Sequence, residues 1–315
     1  MKAMIIKAFG GSEVFESQEM PKPQPGASEV LVKVHATSIN PVDYKIRQAG
    51  SWAGVKPPAI IGYDVSGVIE TVGEEVTDFQ IGDEVFYTPQ IFGGSAGSYA
   101  EYHVAKEAIV ARKPANLSHI EAASIPLAGG TAWDALITRA NLQVGESVLI
   151  HGSGGVGSLA VQIAKAAGAR VFVTCSSRMV DLVKELGADY AINYKSQDFV
   201  EVVQHETGEM GVDVVFDTVG GEALAKSISV TKAHGRMVSI VNTTGDLFTA
   251  HPKNITLHFL FLERARYKLD SLRVLIEHGQ LKPVIDSVMP LSEVAKAHDR
   301  IEQGGLQGKI VLEVS

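Results

Sequence analysis

A glycine-rich loop between a strand and a helix is the feature that most constrains how this chain can fold. Residues 147–178 read SVLIHGSGGVGSLAVQIAKAAGARVFVTCSSR. An apolar run precedes the loop, a segment with helical periodicity follows it, and a β-branched run comes next. Gly152, Gly154 and Gly157 fit the G-x-G-x-x-G pattern, which gives a tight turn, close approach of a diphosphate to the backbone, and close helix–strand packing. A lone glycine pattern would indicate only a flexible loop, whereas this complete βαβ unit predicts a dinucleotide site.

The loop and the end of the second strand predict which dinucleotide binds. The helix that follows the loop directs unpaired N–H groups at a diphosphate. The residues expected to contact it are Gly152, Ser153, Gly154, Gly155, Val156 and Gly157. An NAD site normally places Asp or Glu about 20 residues past the first glycine. That region reads TCSSR here, and Ser176, Ser177 and Arg178 can bind a 2′-phosphate. NADPH is therefore the predicted cofactor; the alternative is that Arg178 is a solvated residue opening the next helix.

Composition excludes several classes of protein. The chain has 315 residues, 45% of them hydrophobic and 20% charged, which is typical of a globular protein of about two domains. A net charge of −8 without a Lys/Arg run argues against a nucleic-acid surface. The apolar runs are strand-sized, so we expect no membrane span, and the first residues do not resemble a signal peptide. The single cysteine, Cys175, excludes an internal disulfide and favours the cytoplasm.

The pattern of predicted strands and helices divides the chain into three stretches. Up to about Asn116, short strands separated by Gly and Pro turns predict an antiparallel β domain. Ser118 and Glu121 form a capping-box pattern that begins a helix running through Ala122 to Ile125. Strands then alternate with helices, which predicts a doubly wound parallel sheet. Its six strands are expected at 148–151, 171–175, 190–194, 212–219, 236–241 and about 255–262. In the tail, a strand at 282–288, a helix capped by Ser292 and a last strand at 308–314 return to the first domain.

Several motifs in this order resemble one family. They are NPVDYKIR at 40–47, GYDVSGVIETVG at 62–73, GSYAEY at 97–102, EAASIPLAGGTAWDAL at 121–136, KELGAD at 184–189 and GKIVLEV at 308–314. The chain resembles the medium-chain dehydrogenase/reductase superfamily, in its zinc-free quinone oxidoreductase and 2-alkenal (enone) reductase branch. The resemblance implies an α/β fold in which a Rossmann domain (120–267) is inserted in a GroES-like antiparallel β domain (1–119 and 268–315).

The resemblance also implies that no zinc is bound. Zinc-dependent relatives have a cysteine near the position of Asn40 and a His-Glu pair where this chain has Tyr63 and Asp64. Asn and Tyr substitute poorly for the N and S ligands of tetrahedral zinc. Without a Lewis acid, the favoured hydride acceptors are those that delocalise the developing charge, namely enones, 2-alkenals and quinones.

The candidate catalytic residues lie in the segment that resembles the active-site stretch of the zinc-free reductases. Tyr44 can donate its hydroxyl to a carbonyl or relay a proton, or it is a packed aromatic side chain. Lys45 is a cation suited to an enolate, or an ordinary exposed lysine. Asn40 either hydrogen-bonds substrate or ribose, or caps the turn before Pro41. Asp43 is expected to orient its neighbours.

Further site residues follow from the resemblance and from strand ends. Thr131 is expected near the nicotinamide, or else as a helix N-cap. Tyr194 is expected near the 2′-phosphate, or else ends the third strand. Lys309 matches a lysine on the cofactor side in relatives, and Asn242 ends the fifth strand, where ligands bind in such sheets. The candidate walls of an apolar substrate pocket are Trp52, Phe86, Tyr87 and Phe92.

Two functional hypotheses follow. The first is an NADPH-dependent reductase of lipophilic quinones, enones or 2-alkenals. The second is a non-catalytic NADPH-binding protein with a structural or regulatory role. A metal-dependent alcohol dehydrogenase has little support.

The apolar sixth strand, His258 to Leu262, is an edge that either a two-fold partner or a covering loop would protect, and we expect a homodimer.

Overall fold

The computed structural model describes residues 1–94 and 96–314. Two compact units divide the chain. Unit 1 comprises Met1–Gly130, Arg264–His278 and Pro283–Ser315, and unit 2 comprises Thr131–Glu263 and Gly279–Lys282. Unit 1 is therefore discontinuous in sequence, and unit 2 is inserted in it.

The first part of unit 1 consists mainly of short strands. In chain order its elements are β1 (Lys2–Ile6), β2 (Phe15–Glu19), β3 (Glu29–Ser38), α1 (Pro41–Ala49), β4 (Ala59–Ile60), β5 (Val65–Val72), β6 (Glu84–Tyr87), β7 (Tyr102–Lys106), β8 (Ala111–Arg112), α2 (His119–Ala123) and α3 (Pro126–Trp133). The unit boundary falls within α3, which continues as a π-helical segment, Asp134–Arg139.

Unit 2 alternates strands and helices. They are β9 (Ser147–His151), α4 (Gly155–Ala166), β10 (Arg170–Cys175), α5 (Val180–Glu185), β11 (Tyr190–Asn193), α6 (Phe199–Thr207), β12 (Val212–Asp217), α7 (Ala223–Ser227), β13 (Thr231–Ser239) and β14 (Thr256–Phe259). These strands form one parallel sheet in the order β11-β10-β9-β12-β13-β14. This order is the one typical of dinucleotide-binding domains, with the reversal between β9 and β12. The predicted doubly wound sheet of six strands is confirmed.

The end of the chain returns to unit 1. It forms α8 (Arg266–Glu277), β15 (Ile285–Pro290), α9 (Val294–Glu302) and β16 (Lys309–Glu313). β16 pairs antiparallel with β3, in the seven-stranded sheet β15-β16-β3-β5-β6-β8, where β7 also pairs with β3. A second sheet has the order β2-β1-β4. The last strand therefore lies in the large sheet of unit 1, where β15 and β16 pair in parallel.

Each unit has its own apolar core. In unit 1, Ile6, Ile39, Ile46 and Leu312 belong to one buried cluster. In unit 2, Leu149, Phe172, Val215 and Met237 pack together on the parallel sheet. Most of these apolar side chains come from the strand runs that the sequence pattern identified, because the residues on a covered face of a strand must be buried. Ile39 and Ile46 are the exceptions, since Ile39 follows β3 and Ile46 lies in α1. Among the described residues, no helix has both the length and the apolarity that a bilayer crossing requires.

Two helices differ from the sequence prediction. Ser118 caps α2 as predicted, and its hydroxyl accepts from the Glu121 N–H at 3.2 Å. That helix ends at Ala123, however, and a new helix begins at Pro126, because proline has no N–H and suits the first turn of a helix. Ser292 does not cap a helix. It lies inside a 3₁₀ turn, Leu291–Glu293, that precedes α9.

Candidate active site

A buried polar cluster lies in unit 1 where three strands of the large sheet end or begin. We use this name for Asn40, Asp43, Asp64, Tyr99 and Lys309. Asn40 follows β3, Asp64 precedes β5, and Lys309 begins β16. β3 pairs with both β5 and β16, so the pairing brings these termini together. All five side chains are buried, with at most 5% of the surface of each exposed.

Lys309 orients the amide of Asn40. The ammonium donates to the Ile39 carbonyl at 2.8 Å, to Asn40 Oδ1, and to Asp64 Oδ2 at 3.5 Å. These three bonds use its three hydrogens. Asn40 Nδ2 in turn donates to Asp64 Oδ2 at 2.7 Å. The lysine can only donate and the carboxylate can only accept, so the amide oxygen faces the lysine and the amide nitrogen faces the aspartate.

The Asp64 carboxylate is held by several donors. Oδ2 also accepts from Ser38 Oγ at 2.6 Å, and Oδ1 accepts from the Leu127 N–H at 2.7 Å. Burial raises the pKa of Asp64, while Lys309 and the donated hydrogen bonds oppose this rise. Burial likewise lowers the pKa of Lys309, and the carboxylates of Asp64 and Asp43 oppose that shift. Asp64 and Lys309 therefore form a buried ion pair, and hydrogen bonds satisfy the remaining polar atoms of both groups. A buried ion pair is stable only when such bonds are present.

Asp43 anchors the start of α1. Its Oδ2 accepts from the Asn40 N–H at 2.8 Å and from the Tyr99 hydroxyl at 2.9 Å. Burial raises the pKa of Asp43 to about 7, against the opposing effects of the Asn40 N–H and Lys309. These contacts agree with the expectation that Asp43 orients its neighbours. They fix the first turn of the helix that carries Tyr44.

Tyr44 and Lys45 lie on the first turns of α1. Tyr44 is half-buried, and burial, followed by the nearby Glu302, raises the pKa of its phenol. Lys45 is exposed. The structure thus brings Asn40 and Lys309 into direct contact and leaves the phenol of Tyr44 in its neutral, proton-bearing form at physiological pH.

The glycine loop has the geometry that its pattern requires. Gly152 has φ of 94°, and a Cβ there would lie 2.6 Å from Thr218 Oγ1. A Cβ on Gly157 would lie 2.0 Å from the Gly152 carbonyl oxygen, so helix and turn are in close contact. Gly154 is exposed and caps α4, and a Cβ there would meet nothing within 4 Å. The loop therefore offers an open helix N-terminus that fits a dinucleotide diphosphate.

The ends of β10 and β11 place the predicted phosphate-binding residues together. Ser176 is half-buried, Ser177 and Arg178 are exposed, and the last two lie in a 3₁₀ turn, Ser177–Met179. The Tyr194 N–H donates to the Cys175 carbonyl at 3.2 Å, so Tyr194 is adjacent to the start of this turn. Cys175 itself is buried, and burial raises the pKa of its thiol, as expected for a packed cysteine.

Two further predicted cofactor residues, Thr131 and Asn242, lie in a helix and after a strand, respectively. Thr131 is buried inside α3, so the alternative that it caps a helix is wrong. Its position follows from the early start of that helix at Pro126. Asn242 is exposed beyond the end of β13, and its carbonyl accepts from the Gly221 N–H at 3.1 Å.

The four predicted pocket residues form two groups. Trp52 and Phe92 are each 49% exposed, and their rings meet edge-on with centroids 6.0 Å apart. Phe86 and Tyr87 are fully buried in β6, and the Tyr87 hydroxyl lies 2.8 Å from His103 Nδ1. Trp52 and Phe92 thus keep about half of their apolar surface exposed, whereas Phe86 and Tyr87 lie in the interior and cannot line an open pocket.

The positions that hold zinc in related dehydrogenases do not fit a metal here. Asn40 and Asp64 are engaged with Lys309, whose positive charge would repel a cation. Burial raises the pKa of the Tyr63 phenol, so it does not supply a phenolate. Within 1–94 and 96–314, no group of three or more His, Cys, Asp or Glu side chains could hold a metal.

Sequence reasoning missed the roles of Asp64 and Tyr99. The sequence marks Asp64 only as a residue at a zinc-ligand position of relatives, and it marks Tyr99 only as part of the motif GSYAEY. One signal was available for Asp64, because a carboxylate directly before the buried strand VSGVI needs a charged or hydrogen-bonding partner. The sequence alone did not identify that partner as Lys309.

Comparison with known proteins agrees with this architecture. Residues 26–115 match the family model described as alcohol dehydrogenase GroES-like domain. Residues 186–312 match the model described as zinc-binding dehydrogenase, a stretch that does not include Asn40, Tyr63 or Asp64.

Full-length relatives and solved structures are also similar. Human quinone oxidoreductase is 36% identical, covering 99% of this chain and 97% of the relative. The chloroplastic NADPH-dependent alkenal/one oxidoreductase of Arabidopsis thaliana is 34% identical, covering 99% and 79%. The structure of the quinone oxidoreductase from Coxiella burnetii has a TM-score of 0.91 and 36% identity, covering 100% of this chain and 99% of that chain. The chain therefore belongs to the medium-chain dehydrogenase/reductase superfamily of oxidoreductases, with quinone oxidoreductases and alkenal/one oxidoreductases among its relatives.

Proposed function

We propose that this protein is an NADPH-dependent, zinc-independent oxidoreductase that transfers hydride to quinones or to the C=C bond of enones and 2-alkenals. The observation that carries the proposal is the contact of Lys309 with Asn40 and Asp64. A hydrogen-bonded ammonium is present where a Lewis acid would be needed to stabilise a localised alkoxide. The acceptors that remain favoured are those in which the negative charge is delocalised as it develops.

NADPH would be held by the loop at 152–157 and by the ends of β10 and β11. The open N-terminus of α4 suits the diphosphate, and the bound cofactor would supply the hydride. Ser176, Ser177 and Arg178 offer hydroxyl and guanidinium donors to the 2′-phosphate, and Tyr194 is adjacent to them. Thr131 and Asn242 remain predicted cofactor contacts. Lys309, whose three hydrogens are directed at Ile39, Asn40 and Asp64, would act on the site through the Asn40 amide instead.

Asn40, Tyr44 and Lys45 would act on the oxygen of the acceptor. Because Asn40 Oδ1 faces Lys309, one hydrogen of Nδ2 faces Asp64, and we propose that the other is donated to the acceptor. An amide held in this way is a preorganised donor, and it loses little energy to reorientation when an enolate or hydroquinone anion forms. Tyr44, whose raised pKa keeps its proton, can donate a second hydrogen bond.

Substrate and assembly follow from exposed apolar groups. The paired rings of Trp52 and Phe92 favour a lipophilic acceptor.

β14 is an edge of the parallel sheet, and Phe259 and Phe261 are 65% and 47% exposed there. We propose that a second copy of the chain covers this edge, as expected for a homodimer. Light scattering of the purified protein would measure the mass, and the value for a monomer would contradict this assignment.

The direct test is NADPH oxidation by the purified protein, followed at the nicotinamide absorbance. The acceptors are a short 2-alkenal, a cyclic enone, a quinone and a saturated ketone, each with and without a chelator. We expect chelator-insensitive turnover of the unsaturated acceptors and none of the ketone. Loss of turnover in chelator would refute the zinc-independent mechanism. Tight NADPH binding without turnover of any acceptor would favour the non-catalytic hypothesis.

A further inference from the structure

His151 lies at the point where the parallel sheet leads into the glycine loop. It is the last residue of β9, the strand between β10 and β12, and its side chain is 2% exposed. Its ring meets the Phe199 ring edge-on, with centroids 4.7 Å apart. Nδ1 lies 3.3 Å from Thr174 Oγ1, and Nε2 lies 2.7 Å from Ser227 Oγ. One imidazole thus links β10 to α7 directly before the loop.

The neighbouring groups determine which nitrogen of this ring carries hydrogen. Ser227 Oγ donates its only hydrogen to the Ala223 carbonyl at 2.7 Å, because a carbonyl can only accept. Ser227 must then accept from His151, which places the imidazole hydrogen on Nε2. In a neutral ring Nδ1 is therefore an acceptor, and it accepts from the Thr174 hydroxyl.

The same chain of bonds reaches the loop. Thr174 Oγ1, having donated to His151, accepts from the Gly152 N–H at 3.2 Å, and Gly152 shares this hydrogen between that hydroxyl and the Thr174 carbonyl, also at 3.2 Å. On the other side, Thr218 Oγ1 donates to the His151 carbonyl at 2.6 Å. The peptide that joins His151 to Gly152 is held from both neighbouring strands, at a residue whose φ of 94° already defines the turn.

The neutral state of the ring is consistent with its surroundings. Burial lowers the pKa of His151 to about 4, and the nearby Asp217 opposes this shift only in part. Asp217 is itself occupied, since Oδ1 accepts from the Val219 and Gly220 N–H groups and Oδ2 accepts from Ser239 Oγ at 2.9 Å. A doubly protonated ring would present a donor to Thr174 and would reverse that bond.

We propose that His151 is a positioning residue for the dinucleotide loop. As a neutral imidazole with hydrogen on Nε2, it transmits the fixed position of α7 through Thr174 to the Gly152 turn, and so sets the loop in its binding geometry. The inference rests on the proposed function in so far as NADPH is the ligand of this loop. It predicts that the residue controls cofactor affinity, although no atom of its side chain need touch the cofactor.

The binding test compares two buried histidines. His151→Phe keeps a planar aromatic ring but removes both nitrogens, and Thr174→Val removes the middle link. The control is His103→Phe, because His103 is also buried in its neutral form, with Nδ1 2.8 Å from the Tyr87 hydroxyl and Nε2 3.0 Å from the Ala96 carbonyl. The dissociation constant of NADPH is measured by the change in nicotinamide fluorescence.

We expect both His151→Phe and Thr174→Val to weaken NADPH binding about tenfold, and the double variant to lose little more, because both break one chain. His151→Gln, which retains a donor towards Ser227, should recover part of the affinity. His103→Phe should leave the affinity unchanged even where its melting temperature falls as much as that of His151→Phe. Affinities within twofold of the unmodified protein in both His151→Phe and Thr174→Val would overturn the proposal.

A second measurement is independent of the cofactor. The ¹⁵N chemical shifts of the His151 imidazole in the free protein should identify Nε2 as the protonated nitrogen, and Thr174→Val should shift the Gly152 amide resonance. Hydrogen on Nδ1 would overturn the proposal whether or not NADPH binds. Failure of the unmodified protein to bind NADPH, with the expected tautomer present, would instead refute the proposed function of the loop.

Discussion

Two single-methyl substitutions in the glycine loop separate its packing role from its binding role. In Gly157→Ala the new Cβ would lie 2.0 Å from the Gly152 carbonyl oxygen and 2.7 Å from its carbon. An ordinary carbon–oxygen contact is about 3.3 Å, so α4 or the turn must move by about 1 Å. Such overpacking costs about 1–3 kcal/mol, and backbone atoms cannot adapt as a flexible side chain does. At about 2–4 °C per kcal/mol, we expect the melting temperature to fall by about 2–12 °C.

Gly154→Ala is the matched control in the same loop. Gly154 has φ of −73°, which alanine adopts freely, and its Cβ would meet no atom within 4 Å. We therefore expect a melting temperature within about 3 °C of the unmodified protein. NADPH affinity should nevertheless fall at least about tenfold, because the methyl group occupies the open space at the helix N-terminus. Scanning calorimetry and NADPH titration of both variants provide the data. Equal stability of the two variants would refute the packing argument, and unchanged NADPH affinity in Gly154→Ala would refute the placement of the diphosphate.

Three other substitutions or conditions give further expected outcomes. Arg178→Ala should raise the Kd of NADPH by about tenfold or more and leave that of NADH nearly unchanged, since only NADPH carries the 2′-phosphate; equal losses would remove Arg178 from the site. Tyr44→Phe should lower kcat for enone reduction with the Kd of NADPH nearly unchanged, and an unaltered kcat would assign Tyr44 to packing. Acidification from about pH 7.5 to about pH 5 should lower the melting temperature, because burial lowers the pKa of four histidines well below the value of about 6.5 in the unfolded chain, which then binds more protons than the folded one. Their folded values are about 4 for His103, His119 and His151 and about 3 for His298. Burial raises the pKa values of Asp43 and Asp64, so these two carboxyls bind protons more readily in the folded chain and oppose the effect of the four imidazoles. Because the imidazoles are more numerous, a constant or rising melting temperature would contradict the expected sign.

The parallel sheet could be predicted from sequence because its signals are local. Apart from β13, which reads TKAHGRMVS, each strand carries a short run rich in β-branched, aromatic or other apolar residues, and the glycine loop fixes the connection between the first strand and its helix. The helix prediction is wrong where one helix ends and the next begins within a few residues. The helix begun at Ser118 gives way at Pro126 to a second helix, which places Thr131 in a helix interior rather than at a start. A capping pattern predicts where one helix begins, but it does not predict how soon the next one follows.

The buried polar cluster could not be predicted in the same way, because its bonds depend on strand pairing over long distances in sequence. Asn40 and Asp64 are 24 residues apart, and Asp64 and Lys309 are 245 apart. The sequence identifies Lys309 as a cation that can reach a ligand, but the structure directs its three hydrogens at Ile39, Asn40 and Asp64. What the lysine does there is to fix the amide of Asn40, and a fixed amide is a better donor to a developing anion than a mobile one. Lys309 thus affects the proposed chemistry because it orients the amide of Asn40. The types of the two residues do not predict this contact, which depends on the pairing of β3 with β16.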